Sequence, residues 1–65
     1  MTEEDQLTEE EQIALVRKEW YKINFIENQS EAVQLAAVRE NGYAVQFTKN
    51  PSDVVMIAAI KILDG

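Results

Sequence analysis

Residues 31–52 read EAVQLAAVRENGYAVQFTKNPS, and residues 9–30 read EEEQIALVRKEWYKINFIENQS. Laid over one another without a gap, at an offset of 22, they share nine identities. These are Glu9 and Glu31, Gln12 and Gln34, Ala14 and Ala36, Val16 and Val38, Arg17 and Arg39, Tyr21 and Tyr43, Phe25 and Phe47, Asn28 and Asn50, and Ser30 and Ser52. Such self-similarity at a fixed period is the signature of a chain built from stacked supersecondary units. A third, partial copy begins at Asp53. There Val33, Leu35, Ala36, Ala37, Val38 and Arg39 correspond to Val55, Ile57, Ala58, Ala59, Ile60 and Lys61, and Asn41-Gly42 is echoed by Asp64-Gly65 with a one-residue insertion.

The repeated unit reads as a helix, a turn and a second short helix. Ser30 and Ser52 each precede an acid, Glu31 or Asp53, as an N-cap and first turn require, and Pro51 stops whatever comes before. Gly42 after Asn41 suits the position just past a helix C-terminus, where a left-handed backbone carries no Cβ penalty. Helices over 31–41 and 53–63 follow. Over 43–48 the pattern is ambiguous: Tyr43 and Phe47 share a helical face, while Tyr43, Val45 and Phe47 share one face of a strand. In the first copy Trp20 stands where the second has Gly42, so no glycine stops the helix. The stripe Ile13, Val16, Trp20 and Ile23 then predicts one longer helix from Glu9 to Ile26. The expected fold is all-α, a small helical bundle of about two and a half 22-residue helix-turn-helix repeats. Residues 8–65 form a single domain, behind an acidic lead-in over 1–7.

The string from Glu31 to Phe47, with Val54-Val-Met-Ile-Ala-Ala-Ile-Lys61 after it, resembles domain of unknown function family 4116. Repeats of that family carry a Val-x-Leu-Ala-Ala-Val-Lys-x-Asn-Gly-x-Ala-Leu core in a helical tandem array. The likeness covers residues 31–65 directly and 9–30 through the internal repeat, with Trp20 in place of the family glycine. It implies an all-α array in a bacterial or phage setting and brings no chemistry with it.

Charge is distributed unevenly. The formal net charge is −6, from six Lys or Arg and twelve Asp or Glu. Residues 1–11 hold Glu3, Glu4, Asp5, Glu9, Glu10 and Glu11 with no base, and residues 12–65 hold six acids against six bases. Thr8 followed by Glu11 is a capping box, and Glu9, Glu10 and Glu11 fall in a first turn, where negative charge meets the positive end of the macrodipole. Arg17, Lys18 and Lys22 lie toward the negative end. Helix capping leaves Glu3, Glu4 and Asp5 unexplained, and these are either a frayed, solvated lead-in or part of an acidic contact arm facing a basic partner.

Several functions are excluded or disfavoured. With no Cys and no His there is no disulfide framework, thiol nucleophile, imidazole base or ordinary zinc site. No desolvated carboxylate pair is legible, so neither an enzyme nor a cofactor is expected. Direct nucleic-acid binding lacks a clustered basic surface. The acidic opening is unlike a secretory signal, and the longest apolar run, Val54 to Ile60, falls far short of the roughly 20 residues of a membrane span, so no membrane partner and a cytoplasmic location are expected.

A protein-binding module remains, acting as an accessory regulator or inhibitor of a host or partner protein. The alternatives are a DNA mimic, against which the confinement of acids to one end argues, and a purely structural homo-oligomer subunit. The helix over 53–63 is apolar on every side. Either the first two units wrap it completely, or Met56, Ile60 and Leu63 meet a second copy or a target protein. Trp20 and Tyr21 are aromatic candidates for the same contact. Core packing competes with that reading for both, because Trp20 fits the stripe and Tyr21 recurs as Tyr43.

Overall fold

The computed structural model describes residues 6–64, and its elements repeat with the period of the sequence. Helix α1 spans Glu9–Lys18 and is followed by a 3₁₀ helix over Trp20–Phe25; α2 spans Glu31–Glu40 and is followed by a second 3₁₀ helix over Gly42–Phe47; α3 spans Asp53–Asp64. The first four elements form two units of identical lengths, displaced by 22 residues. There is no strand among the described residues, so the open question over 43–48 resolves to a 3₁₀ helix through Phe47, with Thr48 as its extended cap.

Local chemistry starts each α-helix. Thr8 accepts from the Glu11 N–H at 3.2 Å while its own N–H donates to the Glu11 carboxylate at 2.9 Å, completing the capping box. Ser30 accepts from the Val33 N–H at 3.2 Å, and Ser52 from the Val55 N–H at a longer 3.4 Å. Arg17 and Lys18 close α1 in its last turn, opposite in charge to the acids of its first.

The single helix expected over Glu9–Ile26 is corrected: it breaks at Glu19. The chain leaves the α conformation there (φ −134°, ψ 80°) just as it does at Asn41 (φ −156°, ψ 117°). The break therefore lies in the residue before the glycine position and needs no glycine. Beyond it, the bonds Lys22 N–H to Glu19 O and Ile26 N–H to Ile23 O recur as Ala44 N–H to Asn41 O and Thr48 N–H to Val45 O. A straight helix would carry residues 20–26 roughly 10 Å past the core at 1.5 Å per residue. Turning back instead buries Ile23 and Ile26 completely.

Gly42 also departs from expectation, since its φ is not positive. Asn41 caps both neighbours: its N–H donates to Ala37 O, ending α2, and its side chain accepts from the Tyr43 N–H at 2.9 Å, starting the next helix. Gly42 is required for space. A Cβ there would lie 2.7 Å from Leu63 Cγ and 3.0 Å from Ala59 O, so α3 sits against bare backbone. The left-handed residue is Asn50, at φ 50°, in the loop that leads through Pro51 to α3.

The α-helices form one layer, with α2 between α1 and α3, and the 3₁₀ helices form the other. The core between them is aliphatic: Val16, Ile23, Ile26, Val33, Val38 and Val55 are its largest fully buried side chains. Gln29 bonds the layers at one end. Its amide nitrogen reaches Ile23 O and Ile26 O at 2.9 Å and Phe47 O at 3.2 Å, and its oxygen accepts from Gln34 and from the Lys49 N–H. Buried Gln34 also donates to Lys49 O at 3.0 Å, so these polar groups are satisfied inside the fold.

Candidate functional site

The repeat makes burial comparable position by position. In α1 Gln12 and Val16 are buried, and in α2 the equivalent Gln34 and Val38 are buried together with Val33 and Ala37. In α3 only Val55 and Ala59, the equivalents of Val33 and Ala37, are buried. Met56 and Ile60, which stand where Gln34 and Val38 stand one unit earlier, are 39% and 59% exposed. Helices α1 and α2 each run into a 3₁₀ helix that folds back against them, and among the described residues α3 is followed by none. The same helix positions are thus core in two units and surface in the third.

Complete wrapping of α3 by the first two units is thereby overturned. Two units placed on one side of a helix cannot cover an apolar circumference. Val54, Met56, Ile57, Ile60, Ile62 and Leu63 all remain substantially exposed. Met56, Ile60 and Leu63 follow i, i+4, i+7 spacing and share one face, while Leu63 also touches the backbone around Gly42.

The other sequence candidates fall elsewhere. Trp20 is half-buried against the core, stacked on Phe47 with ring centroids 6.3 Å apart and an interplanar angle of 26°. Tyr21 meets the Trp20 ring edge-on at 5.9 Å yet is 48% exposed, and Tyr43 is exposed as well, so the core reading fails for the tyrosines. The Tyr21 hydroxyl donates to Glu19 Oε1 at 2.9 Å. That hydrogen bond and the carboxylate's charge raise the phenol pKa above its ordinary value. Glu3, Glu4 and Asp5 lie outside the described residues.

Sequence reasoning passed over Val54 and Ile57, which extend the exposed surface of α3. Both were legible as apolar, but only the packing shows which side of the helix is left bare. It also passed over Gln29, whose repeat equivalent is Pro51 and which self-comparison therefore could not flag. Among the described residues no three His, Cys, Asp or Glu side chains gather as a metal site, and no helix is long and apolar enough to cross a membrane. The chain's distinguishing surface is the apolar face of α3, suited to a non-covalent contact. No family model, curated protein or solved structure matches the chain.

Proposed function

We propose that the protein is a protein-binding module whose principal contact is the uncovered face of α3, centred on Met56, Ile60 and Leu63. The observation that carries this reading is the exposure of Met56 and Ile60 at repeat positions that are core in both earlier units. What covers those positions in the earlier units indicates the occupant. In those units a 3₁₀ helix packs back on the α-helix before it, so the occupant is a short helical segment, here supplied by another protein. The acidic stretch over 1–11 steers a partner with a basic surface, and such a module acts as an accessory regulator or inhibitor by occupying that partner in a cytoplasmic setting. The likeness to domain of unknown function family 4116 belongs to the same proposal, supported by two units of equal length with hydroxyl N-caps at Thr8, Ser30 and Ser52.

The test compares the wild-type chain with Ile60→Glu as bait in quantitative affinity capture, and both proteins by light scattering. A partner held by the wild type and lost by a normally folded Ile60→Glu variant supports the reading. Equal capture by both overturns it. A wild-type dimer that Ile60→Glu converts to monomer, with no partner captured, assigns the face to a second copy and replaces the regulator with a structural subunit.

A further inference from the structure

The outer surface of the α-helical layer carries a second feature, which shares Val54 and Ile57 with the exposed surface of α3 but none of Met56, Ile60 and Leu63. Two open grooves run between neighbouring helices, and every residue lining the second is the repeat equivalent of one lining the first. An apolar row, Ile13, Leu35 and Ile57, runs across α1, α2 and α3, and a cationic row, Arg17, Arg39 and Lys61, runs beside it. Ala32 and Ala36 also line the first groove, Val54 and Ala58 the second. Leu35 and Arg39 line both, so the grooves adjoin across α2 as one shallow trough with these two side chains between its halves.

The charge of this trough opposes that of the chain. Three cations and one carboxylate, Glu40 at the edge of the first groove, give 3 − 1 = +2 on a protein whose net charge is −6. Arg17, Arg39 and Lys61 are exposed and form no ion pair with the described residues. Half of all the bases thus stand in one row, paired with none of the described acids, beside aliphatic side chains. Macrodipole complement accounts for a base near the end of each helix. It does not require all three to share one face.

The grooves measure about 450 and 290 Å³ and are open to solvent. The first is of a size with small-molecule sites and the second just below them, but such sites bury most of their ligand, which an open groove does not. A shallow trough crossing three helices fits an extended chain better. Packed helices lie about 8–10 Å apart. A polyproline II chain has three residues per turn and rises about 3.1 Å per residue, so its side chains at every third position recur at about 9 Å. The repeat of such an occupant is thus of the same order as the usual spacing of packed helices, on which the three cations stand one to a helix.

We propose that this trough docks an extended acidic segment of another protein, in polyproline II conformation, with a carboxylate at every third residue and aliphatic residues between. The carboxylates pair with Arg17, Arg39 and Lys61, the arginines in bidentate fashion, and the aliphatic residues rest on Ile13, Leu35 and Ile57.

The probe is a capped nonapeptide, (Glu-Leu-Pro)₃, titrated to millimolar concentration into the full chain with amide chemical shifts as readout. The controls are (Gln-Leu-Pro)₃ and a peptide of the same composition with its three Glu adjacent. Saturable shifts confined to Ile13, Leu35, Ile57 and their neighbours, with both controls weaker, support the proposal. Arg17→Gln and Lys61→Gln then weaken binding about threefold each, as loss of one exposed ion pair does. Arg39→Gln, which touches both grooves, weakens it about fivefold, at the top of the same scale, and Lys49→Gln leaves it unchanged. All three groove positions are exposed, so these variants keep the wild-type melting temperature. The proposal is overturned by absence of shifts, by shifts elsewhere, by equal binding of the Gln peptide, or by an equal effect of Lys49→Gln. It is also overturned if a single-stranded oligonucleotide produces the same shifts more strongly. Concentration-dependent shifts of the protein alone that vanish on removing residues 1–7 assign the trough to the chain's own acidic end instead.

Discussion

Gly42 shows how a residue can be recognised as important for the wrong reason. Its place after Asn41 suggests a left-handed helix stop, yet its value lies in the missing Cβ, because Leu63 and the Ala59 carbonyl occupy that space. Gly42→Ala is therefore expected to destabilise by about 1–2 kcal/mol through overpacking in spite of alanine's better helix propensity. Urea unfolding measures the loss. Because the closest atom belongs to a half-exposed Leu63 side chain, Leu63→Ala combined with Gly42→Ala should cost less than the sum of the two singles. Additive losses would mean that the Ala59 backbone, not Leu63, sets the penalty. Tyr21 offers a second test at this scale. Its pKa is raised, chiefly by the hydrogen bond to Glu19 and then by that carboxylate's charge. The folded value thus exceeds the unfolded value of about 10. The associated stability is fully present below that unfolded value and is lost as pH rises through the raised one. In a spectrophotometric phenolate titration, Glu19→Gln should move the Tyr21 transition to lower pH. An unchanged transition would remove Glu19 as the cause.

At the scale of elements, equal sequence positions have unequal fates. Val38 and Ile60 are repeat equivalents, one fully buried and the other 59% exposed. Val38→Glu should cost more than about 4 kcal/mol, because it buries an unpaired charge, whereas Ile60→Glu should stay within about 0.5 kcal/mol. Melting curves of the two variants decide the matter, and comparable losses would show that α3 is covered in solution. The helix starts were readable from sequence, since capping depends on the few residues around Thr8, Ser30 and Ser52. The break at Glu19 was not. Nothing local forbids a helix from running on through Trp20, and the turn is favoured because it delivers Ile23 and Ile26 to the core and Trp20 to Phe47.

On the scale of the whole molecule, principal extents of 33 × 22 × 16 Å describe a slab whose long axis is twice its short one. The radius of gyration, 10.6 Å, is close to the roughly 11 Å expected of a folded chain this long. A slab leaves little interior, and no aromatic ring is fully buried. Each unit therefore relies on its neighbour, as in any repeat array. A chain ending at Ser52 would bare Gly42 and the side of α2 that faces α3. It should lose most of its helical circular dichroism and its cooperative melt, as so small a protein has little stability to spare. A cooperative transition in that fragment would show that α3 is an accessory to the fold.

The sequence by itself determined the period of 22, the all-α class and the capped helix starts, because these follow from side chains acting within a turn or two of their own position. It also showed that α3 is apolar all round and that bases recur at Arg17, Arg39 and Lys61. Only the tertiary structure decided which side of α3 is bare, that the three bases share a trough with Ile13, Leu35 and Ile57, and that Gly42 is a point of close approach. Those outcomes depend on which faces two helices present to each other. That is settled by the packing of distant residues, and a one-dimensional pattern does not contain it.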